Sequence, residues 1–522
     1  MKSVVEMEVA TTPCLLFVSH QVQLEWFARV AHEVKARTGL STVLWTLGES
    51  DYCSGRATGA YDRVVNLLRG FDRFVPIGPS AHASNLALLS EYEKEVQQAV
   101  YHLDAALDRG LTGFTDAEVD VHRVRNRWTH QQIAALAVHI LRRVKAELAC
   151  NRVLASVGEA NTLPYRLVYR LLKARSIPHF CPSVLPHADG GLYFEDDLYY
   201  GWERCRRKYD EFCESGVPSD LRARSEVILN QLLERYTKPE YFVRSRRGPR
   251  GWTERLSPRR VTQAYREWRW AGRRECQSNP RVLSPEQLSP LGRLVRALGA
   301  GRRKRYYEEI ASKILPKQPY ACYFLHVQPE YTVEGLAFEY QDQVAFVRNL
   351  VTCLPANMLL LVKEHRPEAG RRSLSFYGEL ASIPNVVLLH DTVNSCEVIK
   401  NAFVTLTLTG TVALESVCFG VPCVMFGNIY YSHFRGINRA TNWPEFRDLV
   451  QSSCALKPAT REEAITALAA RLAVSYPANY PPRSPGDAQS LATALYEECV
   501  VRGITLSPSA AEVSTTLAVM RS

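Results

Sequence analysis

The chain has 522 residues, a length that allows about three or four domains. Hydrophobic residues make up 46% of it and charged residues 23%, and these globular proportions exclude a disordered or fibrous protein. The formal net charge of +10 is concentrated in residues 201–307, which hold 26 Lys and Arg against 12 Asp and Glu. The rest of the chain has 38 basic and 42 acidic residues, so its own charge is slightly negative.

Several other classes are disfavoured by patterns that the sequence lacks. No apolar run approaches the roughly 18 residues that a membrane span needs, and residues 1–13 lack the basic and then apolar pattern of a signal peptide. The 14 cysteines are scattered and form no C-x-x-C pair, which favours reduced thiols and disfavours a zinc site. We therefore expect a cytoplasmic protein without a structural metal.

The first 190 residues alternate between strand-like and helix-like patterns. Short apolar runs predict strands, and stretches with apolar residues at helical spacing predict helices between them. This alternation is typical of a parallel sheet with right-handed crossovers. The predicted strands are Cys14–Ser19, Thr42–Leu47, 151–159 and 179–183, and the predicted helices are 20–39, Leu86–Asp108, Thr129–Cys150 and 163–176.

Residues 200–301 show a different pattern. This stretch is rich in Arg, Trp, Tyr and Pro, and it contains helical segments such as Arg222–Tyr236 and Arg259–Arg274 without any strand-like alternation. We expect a helical insertion or linker between two α/β domains.

The strand–helix alternation resumes at about Pro319. The predicted strands are 321–330, 358–365, Asn385–His390, Phe403–Thr409 and 421–427, and the last predicted helices are Arg461–Val474 and Asp487–Val501. Two such domains at this length predict an α/β fold with a ligand in the cleft between them. Ligands of open parallel sheets bind at the carboxyl ends of strands, so we expect the functional residues directly after strands.

The most informative motif is the loop that follows strand Phe403–Thr409, where Thr409, Gly410 and Thr411 lead directly into a helix. Gly410 allows the backbone to approach a ligand closely, and a helix N-terminus with two hydroxyl groups suits a phosphate. Glu415 lies one turn further along the same helix face, where its carboxylate could accept hydrogen bonds from a ribose diol. The alternative is that Gly410 only permits a tight turn and Thr411 only caps the helix.

Polar side chains also follow two other strands of the second half. Lys363 and His365 point to the same side of one strand end, where two cations would suit a diphosphate. His326 and Gln328 share one face of the preceding strand, and Glu330 follows at its exit. The alternatives are an ordinary polar strand end and a buried structural histidine.

One carboxylate of the first half has the position that a catalytic group requires. Glu159 follows Gly158 at the end of an apolar strand and precedes a helix, so it would face the cleft from the opposite domain as a general base or nucleophile. The alternative is a glutamate that the helix dipole favours at a helix start. Asp196 and Asp197 are weaker candidates of the same kind.

The ordered motifs of residues 320–433 resemble those of bacterial capsule polysaccharide biosynthesis proteins, a family that includes Kdo transferases of the lipid-linked β-Kdo linker. The segments that carry the resemblance are HVQPEYT, YQDQ, LPANMLLLVKEH, SFYGEL, PNVVLL and TLTGTVALESVCFGVPCVMFG, followed by Tyr430 and Tyr431. The resemblance implies a GT-B fold, in which two Rossmann-type domains face a cleft and the C-terminal domain holds most of a nucleotide-sugar donor. It implies no required metal and no cofactor.

Motif position and the resemblance together predict roles for particular residues. The catalytic candidates are Glu159, His365 and Glu330; the donor nucleotide and phosphate would be bound by Lys363, His365, Thr409, Gly410, Thr411 and Glu415; the substrate would contact His326 and Gln328. The sequence pattern predicts an acceptor-side domain at 1–200, a basic helical segment at 201–312, a nucleotide-sugar-binding domain at 313–502 and a flexible tail at 503–522.

We therefore expect a glycosyltransferase of capsule or surface polysaccharide biosynthesis, with CMP-Kdo as a candidate donor and a glycan or lipid-linked molecule as acceptor. Two alternatives stay open. One is a polyol-phosphate transferase of GT-B-like fold, and the other is a polysaccharide binding or export factor without catalysis.

The basic middle segment predicts a peripheral contact with the anionic inner face of the cytoplasmic membrane. Trp252, Trp268 and Trp270 lie among its arginines, and such side chains favour a membrane interface. The alternative is a solvated linker. The segment has no recognisable motif that reads nucleic acid, so we expect no nucleic-acid partner.

Overall fold

The computed structural model describes residues 13–19, 23–108, 111, 128–160, 162–187, 191–198, 201–234, 258–280, 289–328, 330–452, 456–482 and 484–506. Within these ranges the backbone forms two sheets that are flanked by helices. The strands are β1 Pro13–Val18, β2 Ser41–Thr46, β3 Arg63–Asn66, β4 Arg152–Gly158, β5 His179–Val184, β6 Gly191–Glu195, β7 Tyr320–Phe324, β8 Leu359–Lys363, β9 Val386–Leu389, β10 Val404–Thr407, β11 Cys423–Met425, β12 Ile437–Arg439 and β13 Tyr476–Pro477.

The helices follow the predicted alternation, but the helix at Glu49–Ala57 was not predicted and one predicted helix is divided. The single helix predicted over Leu86–Asp108 is two helices, because the backbone at Gln97 is left-handed, with a φ of 56°. The helices are α1 Gln23–Thr38, α2 Glu49–Ala57, α3 Pro79–Glu95, α4 Tyr101–Leu107, α5 His130–Cys150, α6 Leu163–Ala174, α7 Glu203–Ser215, α8 Ser219–Glu234, α9 Pro258–Ala271, α10 Arg274–Gln277, α11 Pro290–Ile310, α12 Tyr331–Glu334, α13 Gln343–Cys353, α14 Leu374–Ser382, α15 Ser395–Lys400, α16 Val412–Phe419, α17 Trp443–Gln451, α18 Arg461–Ala473 and α19 Pro485–Val501.

The first sheet has seven strands in the order β13-β6-β5-β4-β1-β2-β3. The strands from β1 to β5 pair in parallel, whereas β6 is antiparallel to both β5 and β13. Strand order reverses between β1 and β4, which approach each other closely: a Cβ added at Gly158 would lie 2.2 Å from the carbonyl oxygen of Val18. Only glycine fits there, and Glu159 follows directly beyond this contact.

The second sheet has six parallel strands in the order β12-β11-β10-β7-β8-β9. The chain winds from β7 outward through β8 to β9 and then returns to β10 on the other side of β7. This is the doubly wound Rossmann order, and its reversal point is the gap between β7 and β10. The predicted pair of parallel α/β sheets is therefore confirmed.

The segment between the two sheets is helical, and its parts pack on different neighbours. Helices α7 and α8 pack on α18 of the C-terminal half, whereas Arg274 on α10 pairs with Asp72 of the N-terminal half at 2.7 Å. Tyr307 on α11 donates its hydroxyl hydrogen bond to the Leu389 carbonyl at 3.3 Å. The segment therefore bridges the two halves through its folded helices.

The end of the chain returns to the first domain. Strand β13 pairs with β6 of the first sheet, and α19 packs on α1. We therefore group residues 476–506 with the N-terminal sheet, whereas the sequence pattern assigned residues up to 502 to the C-terminal domain. The other boundaries stay predictions. The predicted flexible tail lies outside the described residues from 507 onward.

Three general features concern the described ranges only. Their helices include none with the length and hydropathy that crossing a membrane requires. Their cysteines are free thiols. They contain no group of three or more His, Cys, Asp or Glu side chains arranged to hold a metal ion.

Candidate functional site

The reversal point of the second sheet is bridged by one histidine. His326 follows β7, and its Nε2 accepts a hydrogen bond from the Leu408 amide beyond β10 at 3.2 Å. The same nitrogen lies 3.2 Å from the Thr407 hydroxyl, which accepts the amide hydrogen of Gly410 at 2.9 Å. His326 therefore connects the end of β7 to the loop that sequence analysis singled out.

Burial determines the charge state of this histidine. The pKa of His326 is lowered to about 3, mainly by desolvation and in smaller part by the unfavourable interaction of a charged imidazole with His365 and Arg372. The imidazole is therefore neutral at physiological pH. Its Nε2 acts as an acceptor for the Leu408 amide, a role that a charged imidazolium could not perform.

The lowered pKa of His326 predicts a pH dependence of folding stability. Between about pH 3 and pH 6.5 the unfolded histidine binds more protons than the folded one, so stability falls as pH decreases through this window, by at most about 1.4 kcal/mol per pH unit. His326→Gln keeps an acceptor oxygen but cannot titrate, and we expect a shallower loss in urea unfolding between pH 6.5 and pH 4. His32→Gln, at an exposed site, is the control; equal slopes in all three proteins would contradict the assignment.

A pair of buried amides holds the backbone around His326. The Gln343 side chain accepts the His326 amide hydrogen at 2.8 Å and donates to the His326 carbonyl at 3.0 Å. It also donates to Gln328 Oε1 at 2.6 Å, and Gln328 donates to the Gln341 carbonyl at 2.7 Å. Gln328 is thus engaged with protein groups that shape the loop. Glu330 at the end of the motif is exposed and accepts the Thr332 hydroxyl at 3.2 Å.

The motif Lys363-Glu364-His365 places its three side chains differently. Glu364 is buried and pairs with Arg372 at 2.8 Å, and it also accepts the His365 amide hydrogen at 2.8 Å. Arg372 donates to the His326 carbonyl at 2.6 Å, so this ion pair joins the strand ends of β7 and β8. Lys363 donates to the Asp391 carbonyl beyond β9 at 3.1 Å, and half-buried His365 interacts electrostatically with His326.

The loop after β10 is fixed by contacts on both sides. The Thr409 hydroxyl donates to the Thr332 carbonyl at 2.9 Å, and the Thr409 carbonyl accepts the Tyr431 hydroxyl at 2.7 Å. A Cβ added at Gly410 would lie 3.3 Å from Cε1 of His326, so the backbone there rests against the imidazole. Thr411 precedes α16, and its side chain makes no cap hydrogen bond. The helix N-terminus is therefore not capped by its own threonine.

Glu415 meets a residue from the other half of the chain. Its carboxylate lies 3.5 Å from Nε2 of His187, which follows β5, and both side chains are buried. His187 was not predicted as a site residue, because it lies in a loop and becomes part of the site only through long-range packing. A second contact between the halves is the Tyr331 hydroxyl, which donates to the Leu198 carbonyl at 2.5 Å.

Two carboxyl groups of the first domain, those of Glu159 and Glu195, interact electrostatically. Glu159 accepts a hydrogen bond from the Tyr480 hydroxyl at 3.1 Å. Glu195, at the end of β6, is buried, and desolvation raises its pKa to about 8, with repulsion from Glu159 and Asp197 as further causes. At neutral pH Glu195 is therefore protonated. The sequence pattern indicated its neighbours Asp196 and Asp197, because only burial distinguishes Glu195 from them.

The two neighbouring aspartates have local structural partners. Asp196 accepts the Glu203 amide at 2.6 Å and pairs with Arg502 at 2.7 Å. Asp197 accepts the Gly201 amide at 3.0 Å. Both carboxylates thus stabilise the turn that leads into α7.

Comparisons with known proteins give matches among solved structures only: no family model and no curated protein matches the chain. KpsC from Thermosulfurimonas dismutans, a beta Kdo 2,4 transferase, is 13% identical with a TM-score of 0.29, over 61% of this chain and 79% of that one. CalG4, the calicheamicin glycosyltransferase, is 13% identical with a TM-score of 0.26, over 94% and 99%. UDP-GlcNAc 2-epimerase from Neisseria meningitidis, bound to UDP-GlcNAc, is 9% identical with a TM-score of 0.28, over 93% and 100%.

All of these TM-scores are below 0.5, so these matches do not establish an activity for this chain. The fold follows from the topology of the chain itself: both sheets have the Rossmann strand order, and the last helix returns to the first domain. The chain has the two-domain α/β fold of GT-B type.

Proposed function

We propose that the chain is a glycosyltransferase that uses a nucleotide-sugar donor. The observation that carries the proposal is the Thr409–Thr411 loop. It lies at the reversal point of the second sheet, rests against a neutral histidine and leads into a helix that its own threonine does not cap. Backbone amides and hydroxyl groups in this position suit a phosphate group, whose charge a helix N-terminus favours.

In the proposed reaction the C-terminal half binds the donor and stabilises the leaving nucleotide. The loop holds the donor phosphate, and His365 stabilises the negative charge that develops on it. Glu415 would bind the ribose. Because it now contacts His187, nucleotide binding would exchange that contact for the diol. Lys363 would act on the phosphate after leaving the Asp391 carbonyl, or from a distance through its charge.

The N-terminal half would supply the group that acts on the sugar or the acceptor. Glu159 is the proposed base or nucleophile, and Glu330 is a second acidic candidate on the opposite side. Glu195 supports this choice, because its pKa of about 8, to which repulsion from Glu159 contributes, keeps a protonated carboxyl group near Glu159.

A thermal-shift panel of CMP, UDP, GDP and CMP-Kdo tests the proposal. A ligand that binds only the folded state at 100 times its dissociation constant adds about 2.7 kcal/mol to the free energy of unfolding, so the cognate nucleotide should raise the melting temperature. Gly410→Ala should reduce that shift because its Cβ would lie 2.8 Å from the Thr407 hydroxyl oxygen. Gly78→Ala, where the added Cβ meets no atom within 4 Å, is the matched control. No shift with any nucleotide would contradict the proposal.

The finer assignment is a transferase of capsule or surface polysaccharide biosynthesis, with Kdo from CMP-Kdo as the sugar and a lipid-linked or glycan acceptor. The order of the motifs in residues 320–433 supports it, together with the basic helices, which would keep the enzyme near a membrane-bound acceptor. Helices α9 and α11 expose apolar side chains, among them Val261, Trp270, Leu291 and Leu298. Trp252 lies outside the described residues.

Membrane contact predicts binding to anionic vesicles. Each basic residue near such a surface contributes about 1 kcal/mol, so changing Arg266, Arg302 and Arg305 together to Ser should weaken vesicle binding by about 100-fold. All three side chains are exposed. Co-sedimentation with vesicles that contain phosphatidylserine measures the effect.

The matched control removes the same charge elsewhere. Arg37, Arg348 and Arg447 are exposed and lie outside the basic segment, so their joint change to Ser should have a much smaller effect. Binding that ignores the anionic lipid content, or an equal loss in both triple variants, would contradict a specific membrane surface. The cluster Arg244, Arg246, Arg247 and Arg250 would be a further target, but it lies outside the described residues.

A further inference from the structure

One arginine of the N-terminal half is buried with an unused hydrogen-bond donor. Arg166 lies in the first turns of α6, and only 1% of it is exposed. Its Nε and Nη2 bind Asp104 Oδ1 at 2.8 and 2.6 Å, whereas its Nη1 is buried and has no hydrogen-bond partner among the described residues. An unsatisfied buried donor costs about 1–3 kcal/mol, and more on a charged group, so this atom requires a partner other than the described residues.

The charge around Arg166 favours an anion as that partner. The single carboxylate of Asp104 is shared with Arg170, whose Nε donates to Oδ2 at 2.6 Å, so one negative charge serves two guanidinium groups. Arg170 also donates to the side-chain oxygen of the neutral Gln98 at 2.9 Å. Asp108, the next carboxylate along the chain, accepts the Leu163 amide hydrogen at 2.9 Å.

Two buried hydroxyl groups next to α6 also lack a hydrogen-bond partner among the described residues. Thr162 precedes α6 one turn before Arg166, and the Arg166 amide donates to its carbonyl at 2.9 Å. Ser19 follows β1, and its carbonyl accepts the Tyr165 hydroxyl at 3.1 Å. Thr162 Oγ1 and Ser19 Oγ are both buried without a partner in the described part of the chain. They lie at the carboxyl ends of β4 and β1, the reversal point of the first sheet.

This corner faces the other domain. The guanidinium of Arg166 lies 5.1 Å from the ring centre of Tyr331, the first residue of α12 in the C-terminal half. The Tyr331 hydroxyl donates a hydrogen bond to the Leu198 carbonyl. The ring of Tyr331 packs on Gly335, where an added Cβ would lie 2.1 Å from the tyrosine ring. Tyr331 thus covers the arginine from the C-terminal side.

We propose that Arg166, Thr162 and Ser19 form an oxyanion subsite on the acceptor side of the cleft, which binds a carboxylate or phosphate group. The assignment of the anion to the acceptor rests on the proposed function, whereas the existence of the subsite does not. Nη1 of Arg166 would donate to the oxyanion as a charge-assisted hydrogen bond, the two hydroxyl groups would donate to its other oxygens, and Tyr331 would close over it.

Thermal unfolding in sodium phosphate, sodium acetate and sodium chloride at equal ionic strength tests the subsite. The wild-type chain should be stabilised by phosphate, acetate or both beyond the chloride baseline. Stabilisation by phosphate alone would indicate a phosphate group, and stabilisation by acetate would indicate a carboxylate; either outcome supports the subsite when the effect depends on Arg166, since phosphate also stabilises folded proteins without a specific site. Arg166→Lys keeps a charge for Asp104 but loses Nη1, so the apparent affinity for the anion should fall by about tenfold or more.

Three further variants make the result specific. Thr162→Val removes one hydroxyl at constant shape and should weaken the anion effect. It tests the subsite even if Arg166→Lys folds poorly. Arg170→Lys, whose guanidinium is fully engaged with Asp104 and Gln98, should leave it unchanged. Thr411→Val removes a hydroxyl from the Thr409–Thr411 loop and shows whether the anion effect arises at that loop.

Two results would overturn the subsite. One is an anion effect that Thr411→Val removes while Arg166→Lys and Thr162→Val leave it intact, and the other is no anion effect beyond chloride. Nucleotide shifts measured in the same proteins separate this test from the proposed function. If no nucleotide shifts the wild-type chain while the anion effect depends on Arg166, the proposed function fails and the subsite stands.

Discussion

Replacing Glu159 with Gln is expected to reduce sugar transfer by about 100-fold or more, while folding and nucleotide binding stay unchanged. Glu159 lies just beyond the point where β4 and β1 touch, and it accepts the Tyr480 hydroxyl hydrogen at 3.1 Å. Gln keeps that acceptor oxygen and the shape of the side chain but removes the negative charge that a base or nucleophile requires. Turnover with the cognate donor, together with the nucleotide-induced melting shift, measures both parts of the prediction.

Variants of the two partners of Glu159 serve as controls. Tyr480→Phe removes only the hydrogen bond to Glu159 and should lower activity far less than Glu159→Gln. Glu195→Gln replaces a carboxyl that is already protonated at neutral pH, so it should fold normally. Near-normal transfer by Glu159→Gln would remove this residue from the mechanism.

The second large effect is on stability. Replacing Arg372 with Met should lower the free energy of unfolding by about 3–5 kcal/mol, because it leaves the carboxylate of Glu364 buried without its charged partner. The pair is nearly inaccessible to solvent, with 3% and 0% of the two side chains exposed. The change also removes the bond from Arg372 to the His326 carbonyl, so nucleotide binding should weaken as well. Urea unfolding measures the first effect.

A double variant and a surface pair test this reasoning. Arg372→Met combined with Glu364→Leu removes both charges and should recover much of the lost stability, since no buried charge is left unpaired. Arg348→Met breaks a comparable pair with Glu379 that is about half exposed, and it should cost about 1 kcal/mol or less. If Arg372→Met costs no more than Arg348→Met, the buried pair does not hold the strand ends together.

Sequence patterns predict the α/β framework because each element carries its own signal. Leu359–Lys363 and Val404–Thr407 form parallel strands. The length of these stretches and the spacing of their apolar residues are enough to identify them. Strands β3 and β13 escape prediction because they are short and lie at the two edges of the first sheet, where pairing rather than composition defines them. The break at Gln97 is invisible for a similar reason, since helical periodicity continues on both sides of it.

The candidate site shows a corresponding limit. Position after a strand predicts His326, the Thr409–Thr411 loop and Glu159, and the structure places the first two in direct contact. The engagement of Gln328 with Gln343, and of Lys363 with the Asp391 carbonyl, depends on residues far away in sequence. Burial is also non-local, and it alone distinguishes Glu195 and Arg166 from other charged residues of the chain.

The most direct test of the central claim is the mass of the reaction product. The wild-type chain would be incubated with the nucleotide sugar that gives the largest melting shift and with a lipid-linked glycan acceptor. We expect the acceptor to gain the mass of one glycosidically linked sugar and one nucleotide to be released for each sugar transferred. A product that gains a phosphodiester-linked group, or no nucleotide release with a donor that binds, would contradict a glycosyltransferase.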